Sequence, residues 1–121
     1  MIEIHTPTLE TLLSKWIEVF NSHDLDAHAS LYVQNAMLFG SVPELIIGRA
    51  AIRQYFAGRG PKVHVKHYPA PHVVAISPDV MATAAHVDFA DGDRPMPYRV
   101  TWMLVRQDAN WRIAQHHGSP R

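Results

Sequence analysis

Tyr98-Arg99-Val100-Thr101-Trp102-Met103-Leu104-Val105-Arg106, then Gln107-Asp108-Ala109-Asn110, then Trp111-Arg112-Ile113-Ala114-Gln115-His116-His117 is the stretch that decides the fold. Aromatic and β-branched residues fill two runs, and Asp and Asn sit between them, which reads as a β-hairpin. The first run is apolar on both sides: Val100, Trp102 and Leu104 alternate with Met103 and Val105. A strand with two apolar faces is covered twice. One cover is expected from the chain's own helices and the other from a second copy of the chain, so a homodimer through the sheet is predicted.

Upstream of the hairpin the spacing changes from two to that of a helix. Leu9, Leu12, Leu13, Trp16, Ile17 and Phe20 repeat on one helical face. Thr6 with Pro7 offers a capping hydroxyl and a residue that needs no donor. Burying that stripe contributes about 10 kcal/mol gross, before entropy. Asp24 then caps a short helix running through Leu25, His28, Leu31 and Tyr32. Ala36-Met37-Leu38-Phe39 reads as a short strand, and Gly48 opens a third helix carrying Ile52, Tyr55 and Phe56. Gly58-Arg59-Gly60-Pro61 stops it. Strands are expected over 63–68, 72–76 and 80–89, with Pro69 and Pro71 breaking the first from the second and Asp91-Gly92 turning into the hairpin. The order predicts an α+β fold, one domain over residues 1–121.

Composition narrows function mainly by exclusion. The 121 residues carry 11 Lys+Arg against 11 Asp+Glu and no Cys. A chain of this size buries roughly 65% of its unfolded surface, enough for a core without disulfides. No basic excess points to nucleic acid, and no apolar run has the length of a membrane helix. A cytoplasmic location without a membrane partner is the expectation. The nine histidines show no zinc spacing: His64 and His67 point to opposite faces of a strand, His23 and His28 flank a helix start, and His116 and His117 diverge. No metal or cofactor is expected. Ser119 lacks the strand-turn-helix setting of a nucleophile elbow.

The order helix, helix, strand, helix, long sheet resembles the cone-shaped nuclear transport factor 2-like fold. "FNSHDLDAHASLYVQNAMLFG" and "IIGRAAIRQYF" resemble SnoaL-like proteins. "PHVVAISPDV" and "WRIAQHHGSP" resemble the association domain of calcium/calmodulin-dependent protein kinase II and its small bacterial relatives. The resemblance implies a curved antiparallel sheet packed on three helices, with a pocket at the wide end and dimers formed partly through the sheet. A chain of 121 residues has no room for a kinase domain. The fold hosts isomerases, cyclases, dehydratases, transport factors and scaffolds, so it does not fix function. Where ketosteroid isomerases carry their Tyr, Asp base and second acid, this chain aligns Trp16, Gly40 and Trp102 or Met103. Where the association domain gathers arginines and a histidine, it aligns Ile52, Val87, Trp102 and Gly118.

Carrying alternation through the sheet turns Ala85, Val87, Tyr98, Val100, Trp102, Leu104, Ala114 and His116 inward, and His117 outward. His86 and Asp88 fall on the outer face, where they could pair. The expected ligand pocket is Trp16, Tyr32 (from the second helix), Leu38, Tyr55, Val87, Tyr98, Trp102 and His116, though such inward aromatics also serve as core. His116 is the best single catalytic candidate, being the inward group that titrates near neutrality; a hydrogen-bonded structural role is its alternative. The leading expectation is a homodimeric protein binding a small apolar ligand. The alternatives are a SnoaL-like isomerase, cyclase or dehydratase, and an oligomeric association module without a ligand.

Overall fold

The structure, a computed structural model, describes the backbone over residues 6–121 and side chains from Leu9 onward. Helix α1 (Thr6–Asn21) carries the apolar stripe, with Leu9, Leu12, Trp16 and Phe20 all buried. The capping side chain expected at Thr6 lies outside the described residues. Asp24 caps α2 (Leu25–Ser30), accepting a hydrogen bond from the Ala27 amide at 3.2 Å. Strand β1 (Tyr32–Phe39) follows, then the two-residue β2 (Ile46–Ile47) and α3 (Arg49–Ala57). Gly48 precedes α3 at φ +96°, a conformation that a side chain would strain. The remaining strands are β3 (Val63–His67), β4 (His72–Ser77), β5 (Val80–Asp91), β6 (Arg94–Gln107) and β7 (Asn110–Pro120).

The strands form one curved, unclosed seven-stranded sheet in the order β2-β1-β7-β6-β5-β3, with β4 also on β5. β3 and β4 each pair antiparallel with β5, at opposite ends of it, and Pro69-Ala70-Pro71 separates them. They act as one broken outermost strand, as proline's missing donor requires. All pairings are antiparallel except β1 with β7, which makes the sheet mixed. The side chain of Asn21, the last residue of α1, pairs with the Val65 backbone in both directions, accepting from its amide at 2.8 Å and donating to its carbonyl at 3.3 Å. That double contact ties the end of α1 to β3.

Several expectations need correction. Tyr32 belongs to β1, not to the second helix, and β1 starts four residues before the predicted Ala36. The Tyr32 carbonyl accepts from Arg49 Nε (3.0 Å) and Nη2 (2.7 Å), which commits it to the sheet side of the junction. Strand β2 escaped prediction because two residues carry no readable alternation. Along β7 the alternation breaks: Met103 pairs with Gln115 but Leu104 pairs with Ile113, so Ala114 is an extra residue in a bulge. Ile113 rather than Ala114 therefore fills the inner core, and His116, three residues on, stays inward as well. Asp88 pairs with Arg121 at 3.0 Å rather than with His86.

The outer sheet face carries a continuous cross-strand row. Ile47 pairs with Met37, Met37 with Gln115, Gln115 with Met103, Met103 with Ala82, and Ala82 with Val74. Five of these six positions are apolar, and Ile47, Met37 and Val74 are 63%, 46% and 53% exposed.

Candidate functional site

Between the helices and the inner sheet face lies a cavity of about 460 Å³. Helix α1 supplies Trp16 and Phe20 and α3 supplies Tyr55 and Phe56; the sheet contributes Leu38, Phe89, Tyr98, Val100 and His116. The loop after β1 and the Gly58–Gly60 loop close the sides. Of the expected pocket residues, Trp16, Leu38, Tyr55, Tyr98 and His116 line this cavity. Val87 and Trp102 instead line a much smaller one of about 30 Å³, on the far side of Trp16. Trp16, Phe89 and Val100 line both spaces, and Trp16 stacks on Phe20 at 4.9 Å, with Trp102 at 5.6 Å. Tyr32 lines neither cavity, being wholly buried behind His116.

Tyr32 nonetheless organises the site. The Trp16 indole Nε1–H donates to the Tyr32 hydroxyl at 3.0 Å, and that oxygen lies 2.8 Å from His116 Nδ1. An indole can only donate, so the Tyr32 oxygen accepts there and keeps its own proton for Nδ1. Burial, reinforced by His117, lowers the His116 pKa to about 3, so its imidazole is neutral at pH 7. The hydrogen-bond pattern thereby assigns the Nε2–H tautomer. Burial drives the Tyr32 hydroxyl far above its ordinary value, so it remains a proton donor. Gly118 helps to uncover Nε2: a Cβ there would stand 3.4 Å from it. The site thus offers the cavity a fixed neutral donor rather than an ionised base.

Tyr55 closes the same end. Its hydroxyl accepts from the Ser41 amide at 2.9 Å and lies 3.0 Å from the Ser41 hydroxyl. This geometry depends on Gly40, since a Cβ there would stand 2.2 Å from the Tyr55 oxygen. Burial pushes the Tyr98 hydroxyl up.

Two groups were not legible as site residues. His28 lies on α2 between Trp16 and Phe56, at ring distances of 4.9 and 4.2 Å, with neither nitrogen hydrogen-bonded. Burial, then the Arg59 charge, then His116, lowers its pKa to about 3. Arg59, read from sequence only as part of a helix stop, packs its guanidinium 3.8 Å from the Phe20 ring centroid and donates through Nη2 to the Phe20 carbonyl. Both residues could have been noticed only as polar insertions beside apolar runs. Among the described residues no group of three His, Asp or Glu side chains is arranged to hold a metal, and no helix is long and apolar enough to cross a membrane.

A curved sheet wrapped on three helices, with an aromatic cavity between them, is the nuclear transport factor 2-like, cystatin-like fold. The chain belongs to the SnoaL-like domain family, whose model matches residues 9–121. Among solved structures it is similar to a ketosteroid isomerase-like protein from Erwinia carotovora atroseptica, at 17% identity and TM-score 0.80, covering 94% of each chain. It is similar to an NTF-2 like protein of unknown function from Shewanella oneidensis, at 20% identity and TM-score 0.83, covering 96% of this chain and 99% of that one. A protein of unknown function with a cystatin-like fold from Nostoc punctiforme reaches TM-score 0.84 at 9% identity, covering 100% of this chain and 96% of that one. At such identities the likeness describes the fold. No curated protein matches.

Proposed function

We propose that the protein binds a small, largely apolar molecule in the 460 Å³ cavity and that it works as a homodimer. The observation that carries the binding reading is the cavity's wall: stacked aromatic side chains with a few fixed polar handles, above all His116 Nε2–H and the Tyr55 and Tyr98 hydroxyls. Sites for drug-sized molecules have this make-up and this size. A neutral imidazole held by Tyr32 orients a ligand carbonyl or hydroxyl without transferring a proton. Tests are thermal-shift titrations with steroids, aromatic ketones and apolar acids. A binder at one hundred times its dissociation constant adds about 2.7 kcal/mol; no rise in melting temperature with any of these classes refutes the reading.

A SnoaL-like enzyme is the second reading, favoured by the 2.8 Å contact between Tyr32 and His116. The similarity to a ketosteroid isomerase-like protein agrees with it, while no Asp or Glu lines the cavity among the described residues. It requires that His116→Ala folds and loses turnover; retained turnover removes His116 from the role.

The dimer reading rests on the apolar row across the outer sheet face, where covering Met37, Met103 and Val74 with a second copy takes apolar area out of water. Met103→Glu should turn a sedimenting dimer into a monomer without loss of secondary structure. A ring much larger than a dimer favours an association module instead.

A further inference from the structure

We infer that the cavity's ligand is an anion, a small aromatic or alicyclic monocarboxylate, and that Arg59 is the residue that selects it. The inference deepens the binding reading and rests on it. Arg59 borders the cavity in the short loop after α3, flanked by Gly58 and Gly60, which put no side chains beside it. Its Nε and Nη1 are closed off from solvent and have no hydrogen-bond partner. The one acceptor it meets is neutral, the Phe20 carbonyl, and its Cζ otherwise sits 3.8 Å from the Phe20 ring centroid. The arginines that do have an ion pair among the described residues are at the surface, each with an Asp: Arg53 with Asp26, Arg94 with Asp91, Arg106 with Asp79 and Arg121 with Asp88.

A guanidinium without a counter-ion in a half-buried wall is costly, and this one borders a cavity that no Asp or Glu of the described residues lines. The charge is felt inside the core, since it helps to keep His28 unprotonated. The cavity therefore has a positive potential at one end and aromatic surface elsewhere. A carboxylate entering it would meet the unused donors by a change of Arg59 rotamer off the Phe20 face, in the forked geometry that guanidinium and carboxylate share. One cationic side chain among apolar neighbours fits one negative group on an apolar body, not a phosphate or a polyanion.

The experiment compares 2-naphthoate with 2-acetonaphthone, which share one ring system and differ in charge, by isothermal titration against the wild-type chain, Arg59→Gln and Arg59→Lys. Gln keeps a donor for the Phe20 carbonyl and removes the charge; circular dichroism and melting temperature check that each variant folds. Arg59→Gln is expected to weaken 2-naphthoate by about tenfold to a hundredfold, the range of a charge-assisted hydrogen bond. The ketone should change less than twofold, and Arg59→Lys should recover part of the naphthoate affinity. Equal losses for both probes, or no loss for either, overturn the role of Arg59 while leaving ligand binding standing. Failure of both probes to bind the wild type counts against the cavity reading itself, and with it this inference. Should Arg59→Gln fail to fold, Arg59→Lys decides: a naphthoate-specific loss supports the forked contact, and equal changes in both probes reject it.

Discussion

Lowering the pH from 7.5 to 5 should destabilise the protein through two buried histidines. His28 and His116 are both buried and neutral, with folded-state pKa values near 3 against 6.5 for a free imidazole. Such groups bind more protons when the chain is unfolded. Their full stability contribution is therefore present above pH 6.5 and is lost progressively as the pH falls toward 3. At pH 5 the unfolded state gains about 2 kcal/mol per histidine, from 1.5 pH units at about 1.36 kcal/mol each. The pair together costs about 4 kcal/mol, a large share of the 5–15 kcal/mol typical of a small domain. Urea unfolding followed by circular dichroism at pH 7.5, 6.5, 5.5 and 5.0 measures this directly. The midpoint should be nearly level down to pH 6.5 and then fall, with a limiting slope of about two protons. His28→Leu removes two buried nitrogens that lack partners and should reduce that slope to about one proton. A midpoint that stays level to pH 5, or a His28→Leu protein with the wild-type slope, would refute the reasoning.

Further substitutions probe the site from other sides. Tyr32→Phe deletes the hydroxyl shared by Trp16 and His116 and leaves both without a partner, so it should cost about 1–3 kcal/mol in chemical denaturation. Asn21→Ala removes both bonds to Val65; a loss of about 1–2 kcal/mol and faster exchange of the Val65 amide, in the middle of β3, are expected by hydrogen–deuterium exchange. Gly40→Ala drives a methyl group to 2.2 Å from the Tyr55 oxygen. The ring must move and release Ser41, so any cavity ligand should bind more weakly while the melting temperature shifts by only a few degrees.

Much of the scaffold was legible because its signals are local. The α1 stripe, the Asp24 cap, the Gly48 entry to α3 and the prolines between β3 and β4 each act within a few residues. The inward turn of Trp102 and His116 followed from alternation, and both are buried on the inner face. What escaped depends on contacts distant in sequence. Tyr32 sits at helical spacing from His28, yet the Arg49 clamp on its carbonyl and its pairing with Ile113 place it in the sheet. The bulge at Ala114 adds one residue that a period of two cannot detect. Trp16 is expected in the pocket wall, but no pattern could show that it stands with Phe89 and Val100 between two spaces and leaves Val87 and Trp102 beside the smaller one. Arg59 was read for its glycine neighbours alone, since a single cation next to a turn looks like ordinary surface until Phe20 is found beneath it.

The broken strand formed by β3 and β4 bears on solubility. A long, flat, unpaired strand invites another chain to add on and so to begin a fibre. Here one margin of the sheet is a strand of two residues, and the other is cut by Pro69 and Pro71 and lacks two amide donors at the cut. Neither margin can template a continuous ladder, so growth by strand addition is frustrated at both ends.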